Sequence, residues 1–289
     1  MNYLKTKIQN FLHKRKKKSF QNAVNSIDFN LTTSFHANDI VTFSHIGLIG
    51  DIIYAIPAML ALANGKNIHL YLDINHPNTY AKALKHYNNS SLLNLNSVTF
   101  ICKLILSNPQ FKICKVWEHE PIDFDLNQFR KYPIDFRMGH ISRWYFLTFG
   151  VNYNLNNPWL IVKKNSSFKN NIFIARSFRY RTYGISYKFL NNYNNLVFIG
   201  LLDEFEDIKK DIPDIQLLKW DCALKLAEAI AGCKLFIGNQ SFPFALAEGL
   251  KVKRVLEVCN ESPNVIVDGD NGFDFCFQPQ FEKIIKNLL

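Results

Sequence analysis

Six cysteines (Cys102, Cys114, Cys222, Cys233, Cys259 and Cys276) form no C-x-x-C pair, and none has a histidine at zinc-ligand spacing. The sequence signatures of a structural zinc site are therefore missing. Several of these thiols lie in apolar runs, where they behave as small hydrophobes, and a reduced cytoplasmic setting is the simplest inference. Nowhere does the chain offer the roughly 18 uninterrupted apolar residues of a membrane span. Nor does a continuous apolar core follow the first cations, as a secretory signal peptide requires. Acid is absent from residues 1–27, which instead hold Lys5, Lys7, Lys14, Arg15, Lys16, Lys17 and Lys18. Those seven cations supply most of the formal charge of +10 and leave the rest of the chain nearly balanced. No basic domain for nucleic acid is implied.

What is present suits a two-part α/β protein. At 289 residues and 48% hydrophobic content, the chain can build one large or two modest cores. Within the leader, Leu4, Ile8, Phe11 and Leu12 share one helical face ahead of the lysine cluster. Such a helix suits an anionic membrane surface through residues 1–18, with the protein cytoplasmic and peripheral on the inner face. A solvated, partly disordered tail accounts for the same composition.

From Ile40 onward apolar strands alternate with helices. In the first half, strands are expected at Ile40–Phe43, Ile68–Leu72 and Ile113–Trp117, with helices at Asp51–Ala63 and about Tyr80–Tyr87. A further helix is expected between Gly139 and Gly150, with Gly150 as its stop. Polar passages at Asn152–Pro158 and Lys163–Asn171 mark a hinge. The second half repeats the pattern, with strands at Ile172–Ala175, Leu196–Gly200, Leu235–Gly238 and Arg254–Val258. Its helices are expected at Glu204–Lys210, Cys222–Ala231 and Phe244–Gly249. Alternation of this kind predicts parallel sheets in two Rossmann-like domains, residues 38–160 and 170–289, facing a central cleft.

Three places carry chemistry. The first, Gly47-Leu-Ile-Gly50-Asp51, joins a strand to a helix. Its glycines permit a sharp turn and a close approach, and Asp51 is placed at the first helical position, where a carboxylate is favoured. The residue reads equally as a general base at the edge of a crevice and as a capping Asp. Second, Arg176, Arg179 and Arg181 follow a predicted strand directly, where guanidinium forks can grip phosphate. Third, Gly238-Asn239-Gln240-Ser241-Phe242-Pro243 leads from a strand into a helix with Ser241 as N-cap, leaving N–H groups to cradle a diphosphate. Gly200 and Glu248 are the nucleoside candidates, although Glu248 serves a structural salt bridge as well. His45 either meets an acceptor or packs beneath the turn, and His119 and His140 are read as structural. The spacing Gly47-x-x-Gly50-Asp51 lacks the G-x-G-x-x-G of a dinucleotide-binding turn, which argues against a dehydrogenase.

Taken in register, these segments resemble the heptosyltransferase-like glycosyltransferases of the GT-B class, glycosyltransferase family 9. Gly47-Leu-Ile-Gly-Asp51 with Pro57 and Leu60-Ala-Leu62 is similar to that family's opening signature. Gly139-His140 through Gly150 resembles the helix closing its first domain, and Leu226 through Leu250 its second-domain segment. The resemblance implies an α/β, GT-B-like fold and transfer of a sugar from a nucleotide-sugar donor to a glycan or glycolipid hydroxyl. Inversion, with no metal or other cofactor, is also implied. It gives Asp51 the role of base, and assigns the donor phosphates to Arg176, Arg179 and Arg181 (Arg181 foremost) and to Asn239, Gln240, Ser241 and Phe242. His45, Gly47 and Gly50 become the acceptor-side loop. The family's Asp, Gly and His are replaced here by Gln240, Phe242 and Ala245, so donor identity is not given. A non-catalytic nucleotide-sugar or glycan-binding protein and a nucleotide-sugar epimerase are the competing readings.

Overall fold

The computed structural model describes residues 2–27, 39–74, 76–77 and 91–289. The helix expected at about Tyr80–Tyr87 lies outside these residues, as does the side chain of Leu4. The leader is a helix, α1 (Asn2–Asn25), along which Ile8, Phe11 and Leu12 are exposed. Among the described residues no helix is long and apolar enough to cross a membrane.

The first half contains β1 (Ile40–His45), α2 (Ile49–Ala63), β2 (Asn67–Leu72), α3 (Leu95–Ile105), β3 (Phe111–Val116), β4 (Phe124–Asp125) and α4 (Ile141–Phe149). Its strands form a parallel sheet in the order β3-β2-β1-β4. Helix α3 was not expected, because its apolar residues lie in an Asn- and Ser-rich stretch. The side chain of Asn94 caps it, accepting the Ser97 N–H at 2.9 Å. Gly150 takes the left-handed conformation that ends α4, where any other residue would be strained.

The second half contains β5 (Ile172–Ala175), β6 (Leu196–Phe198), α5 (Leu202–Ile208), β7 (Gln216–Leu217), α6 (Ala223–Gly232), β8 (Leu235–Asn239), α7 (Phe242–Leu250), β9 (Arg254–Glu257), β10 (Gly272–Phe275) and α8 (Gln278–Leu288). Its parallel sheet runs β10-β9-β8-β5-β6-β7. Along β5, Phe173 and Ala175 face one apolar cluster while Ile172 and Ile174 face another, the period-two signature of a sheet covered on both faces. Edge strands β7 and β10 and helix α8 escaped the sequence reading. The strands are short and half-polar, and α8 buries only Phe281 and Ile285.

The larger cluster does not stop at the domain boundary. It runs from β1 and α2 through Trp159 and Leu160 to α7 and β8. Pro57, inside α2, withholds the N–H that would bond the Ile53 carbonyl. The Trp159 indole Nε1 donates to that carbonyl at 3.0 Å, and Ser142 Oγ caps the neighbouring Tyr54 carbonyl at 2.9 Å. The amides of Trp159 and Leu160 both donate to Gly249 O, at 3.0 and 3.1 Å. The hinge thus ends in a strap that ties α2 to α7 and fixes the two sheets about a shared cleft.

Candidate active site

The turn between β1 and α2 is pinned from below. His45 is fully buried, and its Nδ1 accepts the Gly47 N–H at 2.9 Å, so the ring proton sits on Nε2, 3.0 Å from Tyr145 Oη. The tyrosine hydroxyl in turn donates to the Asp51 main-chain carbonyl at 3.4 Å. Burial, and then the Arg130 guanidinium, push His45 down to about 3, so it is neutral and structural. Asp51 is the third residue of α2, not the first, and remains in the turn where a carboxylate is favoured. Its Oδ2 forms an ion pair with Arg130 Nη2. Arg130 lies in a 3-10 turn (Gln128–Lys131) over the rings of Phe129 and Phe136, at 4.8 and 5.2 Å. A Cβ on Gly47 would fall 2.7 Å from His45 Cε1 and 3.0 Å from Arg130 Nη2, so this glycine is the one the packing demands. At Gly50 a Cβ would fit, 3.8 Å from Phe242 Cα.

The three arginines after β5 divide. Arg176 is buried and forks onto Glu257, Nε to Oε2 at 2.8 Å and Nη2 to Oε1 at 3.2 Å. Arg181 holds Asp207 at 2.6 Å and donates to the carbonyls of Ser177 and Arg176 at 2.9 and 3.1 Å. Both are tied into the loop while lining the cavity, Arg181, the foremost phosphate candidate, through three hydrogen bonds. Arg179 differs: among the described residues its enclosed Nη1 has no hydrogen-bond partner. Asn239 is fully buried and acts as the template of this loop. Its Nδ2 donates to Ser177 O at 2.9 Å and Arg179 O at 2.7 Å, and its Oδ1 accepts the Ser177 N–H at 2.9 Å.

At the mouth of α7, Ser241 is the N-cap and accepts the Phe244 N–H at 3.5 Å. Gln240 braces the loop beyond β9, donating to Ser262 O at 2.8 Å and Asn264 Oδ1 at 2.7 Å and accepting the Cys259 N–H at 3.1 Å. The ring of Phe242 meets Phe100 of α3 across the cleft, with centroids 5.8 Å apart. Glu248 has no access to the cleft. It is fully buried between Lys251 and Arg254, so the salt-bridge reading is the one its position fits. Ala245 is core.

One cavity of about 1520 Å³ joins the halves. Gly50, Asp51, Arg176, Arg179, Arg181, Gly200, Gln240, Ser241 and Phe242 line it, whereas His45, Gly47, Asn239 and Glu248 stand behind its walls. Among the lining residues not foreseen are Arg130, Phe100, Glu204 and Trp220. No local motif marks Arg130, which reaches Asp51 from 79 positions away. Glu204 is the second acid after β6, directly following Asp203 in the first turn of α5. It accepts the amides of Phe178 and Leu201 at 3.2 and 3.0 Å, and burial raises its carboxyl above the usual range.

No protein-family model matches the sequence, and no curated protein matches it either. Solved structures do share its architecture. Heptosyltransferase WaaC of E. coli with ADP is 11% identical over 86% of this chain and 100% of that one, at a TM-score of 0.52. With ADP-2-deoxy-2-fluoro heptose the same protein gives 9% identity, the same coverage and 0.53. The fold is that of the GT-B heptosyltransferases. A glycosyltransferase family 9 protein of Veillonella parvula is also similar, at 12% identity, 86% and 88% coverage and a TM-score of 0.47. Within the heptosyltransferase fold, the cavity of this chain lies beyond the carboxyl ends of both parallel sheets, as open α/β sheets place their ligands.

Proposed function

We propose that the protein is an inverting, metal-independent glycosyltransferase that moves a sugar from a nucleoside-diphosphate sugar to a hydroxyl of a glycan or glycolipid. One observation carries the reading: a carboxylate, Asp51, and a cation, Arg179, whose Nη1 has no hydrogen-bond partner among the described residues, line a single cavity together with the N-terminus of α7. In this reading Asp51 takes the acceptor proton, and Arg130 orients its carboxylate. Arg179 and the first amides of α7 receive the charge that develops on the departing diphosphate. Glu204 meets the ribose, and Leu218 and Trp220 flank the base. The sugar lies between, against Phe100 and Phe242. The cations and the exposed apolar residues of α1 would hold the enzyme on an anionic bilayer, close to a lipid-linked acceptor.

Replacing Asp51 by Asn tests the chemistry. Folding and nucleoside-diphosphate affinity should stay at wild-type values while turnover falls by about 10²–10⁴-fold. Turnover at the wild-type rate would remove Asp51 as base. The aromatic pair bridging the cleft favours a second reading, a binding module without catalysis. Binding of nucleotide sugars with neither transfer nor hydrolysis, by the wild-type chain and across a broad acceptor panel, would decide for it.

A further inference from the structure

The cysteines look inert in sequence, yet the fold brings two of them together. Cys102 on α3 and Cys114 on β3 are 12 residues apart in the chain, and their Sγ atoms are 3.2 Å apart. Cys102 also lies 3.0 Å from the Cys114 carbonyl oxygen. The two thiols are unequal: Cys102 is half-buried, while Cys114 is buried in the strand. Their mutual hydrogen bond pulls Cys102 below the usual thiol range, and the same bond and burial push Cys114 well above it. Burial raises Cys233 to about 12, so proximity to other apolar groups alone gives the opposite of what Cys102 shows.

We infer that Cys102 and Cys114 form a redox-active dithiol that closes to a disulfide by exchange with a small-molecule disulfide such as oxidised glutathione. The Cys102 thiolate attacks one sulfur of the oxidant, forming a mixed disulfide and releasing one glutathione thiolate. Cys114 then loses its proton and attacks the Cys102 sulfur, expelling the second glutathione. Two electrons and two protons pass from the protein thiols to the oxidant, giving one intramolecular disulfide and two reduced glutathiones. The order follows access: the half-buried thiol meets the oxidant, and the buried one resolves the adduct. The bond would fasten α3 to β3. Helix α3 contributes Asn96, Ser97 and Phe100 to the cavity wall, so its tether lies one turn or less from the ring that meets Phe242.

The test incubates the full chain with oxidised glutathione, alkylates the remaining thiols and reads intact mass and peptide map. Loss of two of the six thiols, with a Cys102–Cys114 cross-linked peptide that reductant removes, is the expected result. Six alkylated thiols, or a cross-link between other cysteines, overturns the inference. Cys114→Ala should stall as a stable mixed disulfide on Cys102, whereas Cys102→Ala should leave Cys114 unmodified. Equal glutathionylation of Cys114 in that second variant would overturn the assigned order. Because the wild-type mass and map are read directly, poor folding of either variant does not shield the inference. The readout is independent of any sugar transfer.

Discussion

Arg179 and Arg181 show how little residue type settles by itself. Both follow the same strand in the same loop, yet Arg181 is held by Asp207 and two carbonyls while Arg179 Nη1 has no hydrogen-bond partner among the described residues. Arg179→Ala should therefore weaken nucleoside-diphosphate binding by about tenfold or more with little change in unfolding midpoint, the loss expected for one charge-assisted contact. Arg181→Ala should act through the loop, lowering stability as well as affinity; calorimetric titration beside thermal unfolding separates the two. His45 makes a prediction about pH. Its folded value of about 3 lies below the unfolded value of 6.5. Between those limits the unfolded chain binds the extra proton, so stability falls as pH drops through the window, by up to about 1.4 kcal/mol per unit. Urea unfolding across pH 3–7 should show that slope in the wild type, and His45→Gln should flatten it. An unchanged slope in the variant would assign it to other groups, Asp125 and the paired carboxylates among them.

At the scale of the element, the telling case is α2, a helix with a proline in its interior. The sequence explains the proline's cost but not its tolerance. The Ile53 carbonyl, deprived of its helical donor, is met by Trp159, and the Tyr54 carbonyl by Ser142. Trp159→Phe keeps most of the ring volume and leaves one buried carbonyl unpaired, at a cost of about 1–3 kcal/mol. Pro57→Ala restores the helical N–H, so the same change should cost less in that background. Chemical denaturation of the two single variants and the double variant should give a coupling energy of about 1 kcal/mol; strict additivity would mean the restored helical N–H does not substitute for the indole bond.

At the scale of the molecule, the halves meet through a continuous apolar core and a pair of rings across the cleft. Phe100 and Phe242 come from different halves and bound the space between Asp51 and the α7 mouth. Phe242→Ala should shift donor preference toward sugars with a longer exocyclic chain by about 10–200-fold in kcat/KM per methylene accommodated. Competition assays between paired donors would read this, and an unaltered ratio would place the sugar elsewhere. The alternation of apolar runs determined the parallel sheets, the strand–turn–helix at Gly47–Asp51 and the capped mouth of α7, because period, turn chemistry and capping are local properties. Edge strands β4, β7 and β10 were not legible, since they are short and half-polar, and α3 was missed because its apolar residues lie in an Asn- and Ser-rich stretch. The division among the arginines, the burial of Glu248, the partnership of Arg130 with Asp51 and the meeting of Cys102 with Cys114 were decided only by the tertiary structure. Each depends on which charge or sulfur a distant segment brings within a few ångströms, and no spacing along the chain encodes that distance.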